Sequence, residues 1–355
     1  NALYQVDDAF DPALLRAPGS QSVYYLIMTE EERDELEDIG TSSSRSESNA
    51  RMNATFVSAE STSIKSLYCA SVRNRGAGSR DGPPNNHLVM FRTDETWKGV
   101  EAMKFNCRYV HSQTAGSWLF QLMGVEVPDT VAVQLRINGE DLARPGGPLM
   151  YGSYAMVETL DSDFTSAHWP DDPNGNLYQV RDDEDSGDEG DLRYEGEDAD
   201  AYRNTYFKQT NGSEDDWSDL IALTDALNNS PQESYLDEVS KHVNVDQWLT
   251  HLAVDSLLGN REGGLNDGKG DDYVLYRGIA DPRFRFVPHD LDTLLRGNPT
   301  KNIWGYTALD GLERFLNHPD IIPLYYSKFL ELLDRVYRPE IIQPVIARAV
   351  GGFLA

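Results

Sequence analysis

Residues 251–296, HLAVDSLLGNREGGLNDGKGDDYVLYRGIADPRFRFVPHDLDTLLR, hold the pattern around which the rest of the chain is organised. Apolar residues three and four positions apart predict a helix that ends near Gly259. An acidic, glycine-rich loop follows it, and two short strands joined by a turn come next. The second strand leads into a carboxylate pair, Asp290 and Asp292. We expect any chemistry of this protein to lie in this stretch.

The composition is that of a globular protein with a strong negative charge. The 355 residues include 59 acidic and 31 basic side chains, which gives a formal net charge of −28. Such a surface repels phosphate backbones and anionic membranes, so the charge argues against nucleic acid as a partner and favours divalent cations. No run of eighteen apolar residues is present in the sequence, so no membrane span is predicted.

The ends of the chain and its cysteines bear on where the protein works. The sequence begins NALYQ, without methionine or a signal-like apolar segment, which indicates a processed protein or a piece of a longer polypeptide or assembly. Cys69 and Cys107 both lie in predicted strands. They form a disulfide if those strands are neighbours in an oxidising compartment, or else they are two buried free thiols.

The order of predicted elements indicates the fold class. The segment that begins at Thr29, TEEERDEL, has a capping residue followed by first-turn acids and predicts a helix start. Residues 54–107 read as strands, whereas the chain after residue 206 shows helical spacing of its apolar residues. We therefore predict an α+β fold with two lobes: a β-rich N-terminal lobe at 1–165, an acidic linker at 166–205 and a mainly helical C-terminal lobe at 206–355.

The acidic segment is residues 171–200, DDPNGNLYQVRDDEDSGDEGDLRYEGEDAD. Like charges at this density cannot pack together without cations. The segment is therefore predicted to be a solvated loop or a loop that binds Ca²⁺. Its first residues, DDPNGN, carry oxygen ligands around a glycine turn, as hard cations require.

Two features of the N-terminal half are candidate ligand contacts. Glycines at 76, 78 and 82 in RGAGSRDGPP allow backbone N–H groups to approach an anion closely, although a plain hairpin turn would also explain them. Glu158 lies in an otherwise apolar strand. Such a carboxylate needs a basic or N–H partner if it is buried, and the alternative is an exposed strand end.

The acids of the organising stretch suit a divalent cation. Asp267, Asp271 and Asp272 alternate with glycines, so several carboxylates can turn toward one point. In an extended chain Asp290 and Asp292 would share one face and could bind the same cation. A solvated loop is the alternative for a lone Asp-X-Asp. Together with the glycine turn, these acids are the parts that phosphoryl transfer needs.

Four motifs resemble the CotH-type protein kinases, and the resemblance covers most of the chain. VRNRGAGSR resembles the strand and turn with arginine and glycine, VQLRINGE…YGSYAMVETLDSDF the NG…GYxxxE hairpin, GNLYQ the GxLYK motif, and DDYVLYR…FRFVPHDLD the NYxLY…PWDxD motif. The resemblance implies a two-lobed protein-kinase-like fold, ATP as the phosphoryl donor, and Mg²⁺ or Mn²⁺.

The resemblance also implies roles for single residues. Asp290 stands at the metal-binding aspartate, with Asp292 beside it, and Glu158 would orient a cationic group at the phosphates. Glu262 falls on the catalytic acid of the N-x-D pattern, and Asp272 falls on the asparagine of NYxLY, where it would assist catalysis.

The chain departs from the family pattern at three places. The tryptophan before the final aspartate is His289, the lysine of GxLYK is Gln179, and the lysine after the glycine turn is absent. The phosphates would then need a cation from Arg73, Arg75, Arg80 or Lys104. The candidate nucleotide contacts are Arg73, Arg75, Gly76, Gly78, Lys104 and Glu158, and the candidate metal ligands are Asp267, Asp271, Asp290 and Asp292.

Three functions compete. The first is an atypical kinase that transfers the γ-phosphate of ATP to Ser or Thr of a surface or secreted protein. The second is a catalytically inactive, Ca²⁺-stabilised module that binds a partner outside the cell, which the acidity and the missing lysines favour. A two-metal hydrolase is third, and the seven histidines, of which only His251 and His289 lie in the organising stretch, disfavour it.

Overall fold

A computed structural model describes the chain except for residues 1–21, 43–47, 61–62, 77–78, 81, 144–151, 181–189, 261–264, 266–267, 269, 296–299 and 352–355. The chain divides into two compact units. The barrel unit comprises Asn1–Trp118, Asp129–Thr159 and Gln343–Ala355, and the mixed unit comprises Leu119–Pro128 and Leu160–Ile342.

The barrel unit is built on a closed seven-stranded sheet in the order β1-β2-β3-β4-β5-β7-β6. Its strands are β1 Val23–Ile27, β2 Met52–Glu60, β3 Ser63–Arg75, β4 Asn86–Met90, β5 Ala102–Asn106, β6 Thr130–Ile137 and β7 Tyr154–Glu158. All neighbouring strands are antiparallel except β1 and β6, which are parallel and close the barrel. The predicted strands of this region are confirmed.

Alternation of side chains fills the barrel. In β4 the side chains of His87 and Val89 are buried, while those on either side of them are partly exposed. Tyr24, Phe56 and Trp97 form an aromatic cluster whose ring centroids lie 5.5 to 5.8 Å apart. Aromatic pairs of this kind each stabilise a core by ~1 kcal/mol beyond the area they bury.

Helix α1, Glu30–Thr41, follows β1 directly and begins as predicted. The Oγ1 of Thr29 accepts a hydrogen bond from the backbone N–H of Glu32 at 3.2 Å. Acids occupy the first turn, where the helix dipole favours negative charge. The Thr29 cap and the first-turn acids therefore stabilise the start of α1, as the sequence predicts.

The mixed unit contains a four-stranded antiparallel sheet in the order β11-β10-β8-β9. Its strands are β8 Asn176–Val180, β9 Tyr206–Lys208, β10 Tyr273–Arg277 and β11 Arg285–Pro288. The helices of the chain after α1 are α2 Val110–Leu122, α3 Ser162–His168, α4 Ser218–Asn229, α5 Tyr235–Val239, α6 Val245–Leu258, α7 Asp310–Leu316, α8 Ile321–Arg335 and α9 Pro339–Gly351. A β-rich N-terminal part and mostly helical later residues confirm the α+β prediction.

Helix α6 holds β11 in place through two side chains. The amide of Gln247 donates to the carbonyl of Phe286 at 2.6 Å and accepts from its N–H at 2.8 Å, so it satisfies the edge of the strand as a neighbouring strand would. The indole of Trp248 donates to the carbonyl of Phe284 at 2.9 Å. Helix α6 therefore fixes the strand that immediately precedes the candidate metal ligands Asp290 and Asp292.

Three expectations need correction. Strand β8 runs through the segment predicted to be an acidic loop, because Leu177 and Tyr178 are buried and pair with β10. Cys69 and Cys107 are both free thiols, so they form no disulfide. Only Cys107 is buried, because Cys69 lies where the register of β2 and β3 shifts, with a left-handed φ of 58° and an exposed side chain.

In the described part of the chain, the helices are too short or too polar for any of them to cross a membrane.

Candidate active site

Three of the four predicted metal ligands, Asp271, Asp290 and Asp292, lie at one end of the β10–β11 hairpin. Tyr273, the first residue of β10, pairs with Pro288, the last residue of β11. The chain entering β10 and the chain leaving β11 therefore lie side by side at the same edge of the sheet. All four described carboxylates at this edge are partly exposed, and they belong to Asp271, Asp272, Asp290 and Asp292.

The Asp-X-Asp segment is not extended, and that expectation was wrong. β11 ends at Pro288, Asp290 has a left-handed φ of 45°, and Asp292 begins a turn. Once the chain leaves the ladder, residues i and i+2 no longer share a face. Asp272 on the facing segment is also left-handed, with φ of 48°. Aspartate tolerates this conformation better than most residues other than glycine and asparagine.

The imidazole of His289 joins the two segments of this edge. Its Nδ1 lies 3.2 Å from Oδ1 of Asp272, and its Nε2 lies 3.2 Å from the amide nitrogen of Gln179 on β8. With the Gln179 amide as donor, Nε2 accepts and Nδ1 donates to the carboxylate. His289 thus links Gln179 and Asp272, and each of these three residues stands where the family motifs have a different residue.

The donor set suits a hard divalent cation. Carboxylate oxygens are the ligands that Mg²⁺, Mn²⁺ and Ca²⁺ prefer. Within the described residues, no three of the groups at this edge bring a ligand atom each to within 4.8 Å of one another. Binding through one or two carboxylates, with water completing the shell, is the usual way in which proteins hold Mg²⁺.

The C-terminal end of α6 lies where the sequence predicts, and a buried hydrogen bond holds the residue that follows its cap. The helix ends at Leu258, and Gly259 caps it in a left-handed conformation with φ of 58°. Asn260 is buried, and its amide donates to Oδ1 of Asp255 at 2.9 Å. Glu262 and Asp267 lie outside the described residues. Asp255 therefore anchors this part of the chain, a role that its only signal in the sequence, an acid among the apolar residues of the helix, did not reveal.

The environment of Asp255 is unusual for a carboxylate. The side chain is fully buried, and the hydroxyl of Tyr306 donates to its Oδ2 at 3.1 Å. Burial raises the pKa of Asp255 from 3.8 to about 6, although the bonds from Asn260 and Tyr306 and the charge of Lys301 act in the opposite direction. Ionised Asp255 therefore weakens the fold relative to its neutral form.

Three candidate cations share one face of the barrel wall. The register pairs Arg73 with Leu88, and Leu88 with Lys104, so the two basic residues stand two strands apart on the outer face, about 10 Å between their Cα atoms. Arg75 follows two residues along the same face. Its guanidinium donates to the side chain of Asn106, while that of Arg73 donates to the carbonyl of Asn74 at 3.0 Å.

Glu158 is separated from these cations by the alternation of the strand. It pairs with Met103, whereas its neighbour Val157 pairs with Lys104, so Glu158 faces the other side of the sheet. It is buried, and its Oε2 accepts from the backbone N–H of Asp129 at 3.1 Å. The prediction that a buried Glu158 would have a backbone N–H partner is confirmed. The alternative prediction, that Glu158 lies at an exposed strand end, is wrong.

A buried arginine, Arg80, stabilises the glycine turn through hydrogen bonds. Gly76 has φ of 96° and opens the turn, while Gly78 lies outside the described residues. Arg80 is buried, and its guanidinium donates to the carbonyl of Ser48 at 3.1 Å and to Oδ1 of Asn49 at 2.8 Å. Arg80 therefore contributes to the structure of the turn.

The DDPNGN segment also has a structural use. The carboxylate of Asp172 accepts hydrogen bonds from the backbone N–H groups of Ile279, Ala280 and Asp281 at 2.9 to 3.0 Å. Burial alone would raise the pKa of Asp172, but these bonds lower it below its usual value. In this structure the residue caps the turn between β10 and β11.

We expect Asp272 and His289 to be energetically coupled. A double-mutant cycle with Asp272→Gly and His289→Phe should give a coupling free energy of about 1–2 kcal/mol in urea unfolding, because the bond involves a carboxylate. Glycine accommodates the left-handed φ of position 272. The control cycle uses His318 and Asp320, which lie 3.9 Å apart with the acid exposed, and should give less than about 0.5 kcal/mol. Equal couplings in the two cycles would contradict the assignment.

Comparison with known proteins gives the family. The family model described as CotH kinase protein matches residues 112–351. Inner spore coat protein H of Bacillus subtilis (strain 168) is 26% identical over 222 residues, which cover 61% of this chain and 56% of that protein. The match thus spans only about half the length of this relative.

Two solved structures show weak similarity. The Helicobacter pylori proinflammatory kinase CtkA is 10% identical, with 74% of this chain and 94% of that chain covered and a TM-score of 0.28. The Shewanella oneidensis MR-1 toxin–antitoxin complex of HipA, HipB and operator DNA is also 10% identical, with 92% and 71% covered and a TM-score of 0.26. TM-scores this low carry no argument about the fold. The family match extends over well over half of the sequence, and the chain therefore belongs to the CotH kinase protein family.

Proposed function

We propose that this protein is a CotH-type kinase that transfers the γ-phosphate of ATP to serine or threonine side chains of a surface or secreted protein. The observation that carries the proposal is the set of carboxylates at the end of the β10–β11 hairpin. Membership of the CotH kinase protein family supports it. The high negative charge and the spore-coat relative support a location outside the cytoplasm.

The acids of the mixed unit would hold the metal and the acceptor. Asp290 and Asp292, with Asp271 on the facing segment, are the proposed ligands for Mg²⁺ or Mn²⁺, which when bound would neutralise phosphate charge. His289 orients Asp272 through the hydrogen bond described above. Glu262 is the proposed base for the acceptor hydroxyl, and Asp255 holds the loop before it through Asn260.

The barrel unit has a candidate phosphate-binding site of its own. Arg73, Arg75 and Lys104 share the outer face of neighbouring strands. Cations fixed on a rigid sheet stabilise charge that develops on a transferring phosphoryl group without reorganising during the reaction. These three residues are therefore the proposed phosphate contacts within the barrel unit, in place of the absent family lysines.

A second function is favoured by one specific observation. Gln179, which stands at the family lysine, bonds to His289, so this position serves a hydrogen-bond network within the sheet. Because this chain lacks the lysine of the family motif, the second proposed function is that of a catalytically inactive, Ca²⁺-stabilised module that binds a partner at a cell surface.

Binding and stability measurements separate the two functions. Isothermal titration of the folded protein with ATP, in Mg²⁺ or Mn²⁺, should show metal-dependent binding, and labelled γ-phosphate should appear on a serine- or threonine-containing protein. If the folded protein binds no ATP with either metal, the proposal of kinase function is wrong. In the second function Ca²⁺ raises Tm strongly and ATP does not, because only Ca²⁺ binds the folded state.

A further inference from the structure

One end of the barrel contains a cavity that the proposed kinase function does not use. The antiparallel order places the ends of β1 and β3 and the start of β4 at the same end of the barrel, and α1 follows β1 there. The cavity has a volume of about 260 Å³, and its described lining comes from the barrel unit alone. The lining residues relevant here are Arg33, Glu37, Asn74, His87, Glu140 and Leu142.

The cavity has buried polar atoms in its wall. His87 is only 2% exposed, and neither of its ring nitrogens has a hydrogen-bond partner among the described residues. Asn74 pairs with His87 across β3 and β4, so the two side chains share the inner face. The Asn74 amide donates to the carbonyl of Leu36 at 2.9 Å, which fixes the orientation of an Oδ1 that likewise lacks a described partner.

A third polar group lies beside them. The ring of Tyr154 is 6.1 Å from that of His87, centroid to centroid, and its buried hydroxyl has no partner within the described chain. Leaving a buried polar group without a partner costs about 1–3 kcal/mol, and native proteins rarely do so. His87 and Asn74 line the cavity, and a molecule bound there would complete their hydrogen bonds.

The charges at the cavity exclude an anion. The guanidinium of Arg33 bonds to Glu37 at 2.6 Å and lies 3.8 Å from Glu140, so one cation is matched by two carboxylates. The pKa of His87 is lowered to about 4 by burial and by the charge of Arg33, so the imidazole is neutral at pH 7. The lining therefore has no surplus positive charge to attract a phosphate or a carboxylate.

The hydrogen-bonding groups also exclude a simple cation. Neutral His87 offers one N–H donor and one acceptor nitrogen, and Asn74 offers an acceptor oxygen. An ammonium group donates but cannot accept, so it would leave the His87 N–H without a partner. Hydroxyl groups both donate and accept, and a neutral molecule with several of them satisfies the whole set.

We propose that the cavity beneath α1 is a binding site for a small neutral polyhydroxyl compound of monosaccharide size, whose hydroxyls pair with His87 and Asn74. The volume of about 260 Å³ lies below the usual range of drug-sized pockets, roughly 300–1,000 Å³, and suits one sugar ring. The site is distinct from the proposed phosphate contacts, because Arg73 and Arg75 alternate with Asn74 and point to the outer face.

Ligand-observed NMR on the full chain tests this site. The probes are glucose, galactose, mannose and myo-inositol, each added singly at millimolar concentration, with inorganic phosphate as the anionic comparison. We expect saturation transfer to at least one of the four polyols, a rise in Tm with that compound, and neither effect with phosphate. If none of the polyols binds, or if phosphate alone binds, the proposal is wrong.

Two variants locate the binding. His87→Phe removes both ring nitrogens, and Leu142→Trp fills the cavity without removing a hydrogen-bonding group, so each should reduce binding at least tenfold. The control is His318→Phe, a histidine of the mixed unit stacked on Tyr235. Circular dichroism identifies the variants that fold. If His87→Phe does not fold, the binding measurement with Leu142→Trp tests the site. Unchanged binding in a folded cavity variant, or an equal loss in His318→Phe, would overturn the assignment.

Discussion

Asp290→Asn is expected to lower the rate of Mg²⁺-dependent phosphoryl transfer by ~100-fold or more while the protein stays folded. Loss of one preorganised electrostatic group in an active site typically costs 10²–10³-fold in rate, by order of magnitude. Asparagine has the shape of aspartate and also tolerates a left-handed φ, here 45°, so the backbone should be undisturbed. Initial rates with labelled ATP, together with Tm, measure the two effects separately.

The matched control for this prediction is Asp225→Asn. Asp225 is exposed on α4, far along the chain from the hairpin, and its Oδ1 accepts from the side chain of Asn229 at 2.7 Å. This variant should keep the wild-type rate within a factor of about two, because surface changes rarely matter. If Asp290→Asn keeps the wild-type rate, or if both variants lose activity equally, the assignment of Asp290 as a metal ligand is wrong.

The second large effect is a pH dependence of stability caused by Asp255. Its pKa is about 6 in the folded protein against an ordinary value of 3.8, so between these values the folded state binds more protons than the unfolded state. The stabilisation is complete below pH 3.8 and is lost as the pH rises through 6. One pKa unit corresponds to about 1.4 kcal/mol, so a shift of about two units amounts to about 3 kcal/mol.

Urea unfolding of wild type and Asp255→Asn from pH 4 to pH 7 measures this contribution. The free energy of unfolding of wild type, relative to the variant, should fall by about 2.4 kcal/mol across this range, since asparagine does not titrate and the unfolded carboxyl is already partly ionised at pH 4. Asp246→Asn, an exposed position on the same helix, provides the control: it removes an ion pair with Lys328 but should keep the fall in stability between pH 4 and pH 7. A difference curve for Asp255→Asn that stays flat would show that the buried carboxylate does not titrate in this window.

Asp255 also connects stability with the proposed chemistry. Its hydrogen bond to Asn260 holds the first residue beyond the cap of α6, two positions before Glu262. A change in its protonation therefore acts on Asn260, two positions before the proposed base. A buried network of this kind is sensitive because each member depends on the others for its hydrogen bonds.

Much of the local structure and the family could be read from the sequence. The Thr29 cap, the end of α6 at Gly259 and the two strands before Asp290 follow from chemistry among residues a few positions apart. The motifs that resemble the CotH-type kinases likewise pointed to the family that the comparison then established. Capping, helical spacing and strand alternation depend only on neighbours in the chain, so they are visible without coordinates.

Long-range register is what the sequence could not supply. Gln179 and His289 are separated by 110 positions, yet they bond because β8 and β11 flank β10 in one sheet. The pairing of β5 with β7 likewise decides that Glu158 faces away from Lys104.

The sequence by itself determined the α+β class, the family and the acids that end the hairpin, because short-range chemistry encodes them. Tertiary structure alone decided which side chains meet, including His87 and Asn74 at the barrel cavity. The physical reason is that a shift of one residue in the pairing of two strands moves every side chain to the opposite face, and spacing along the chain does not specify that pairing.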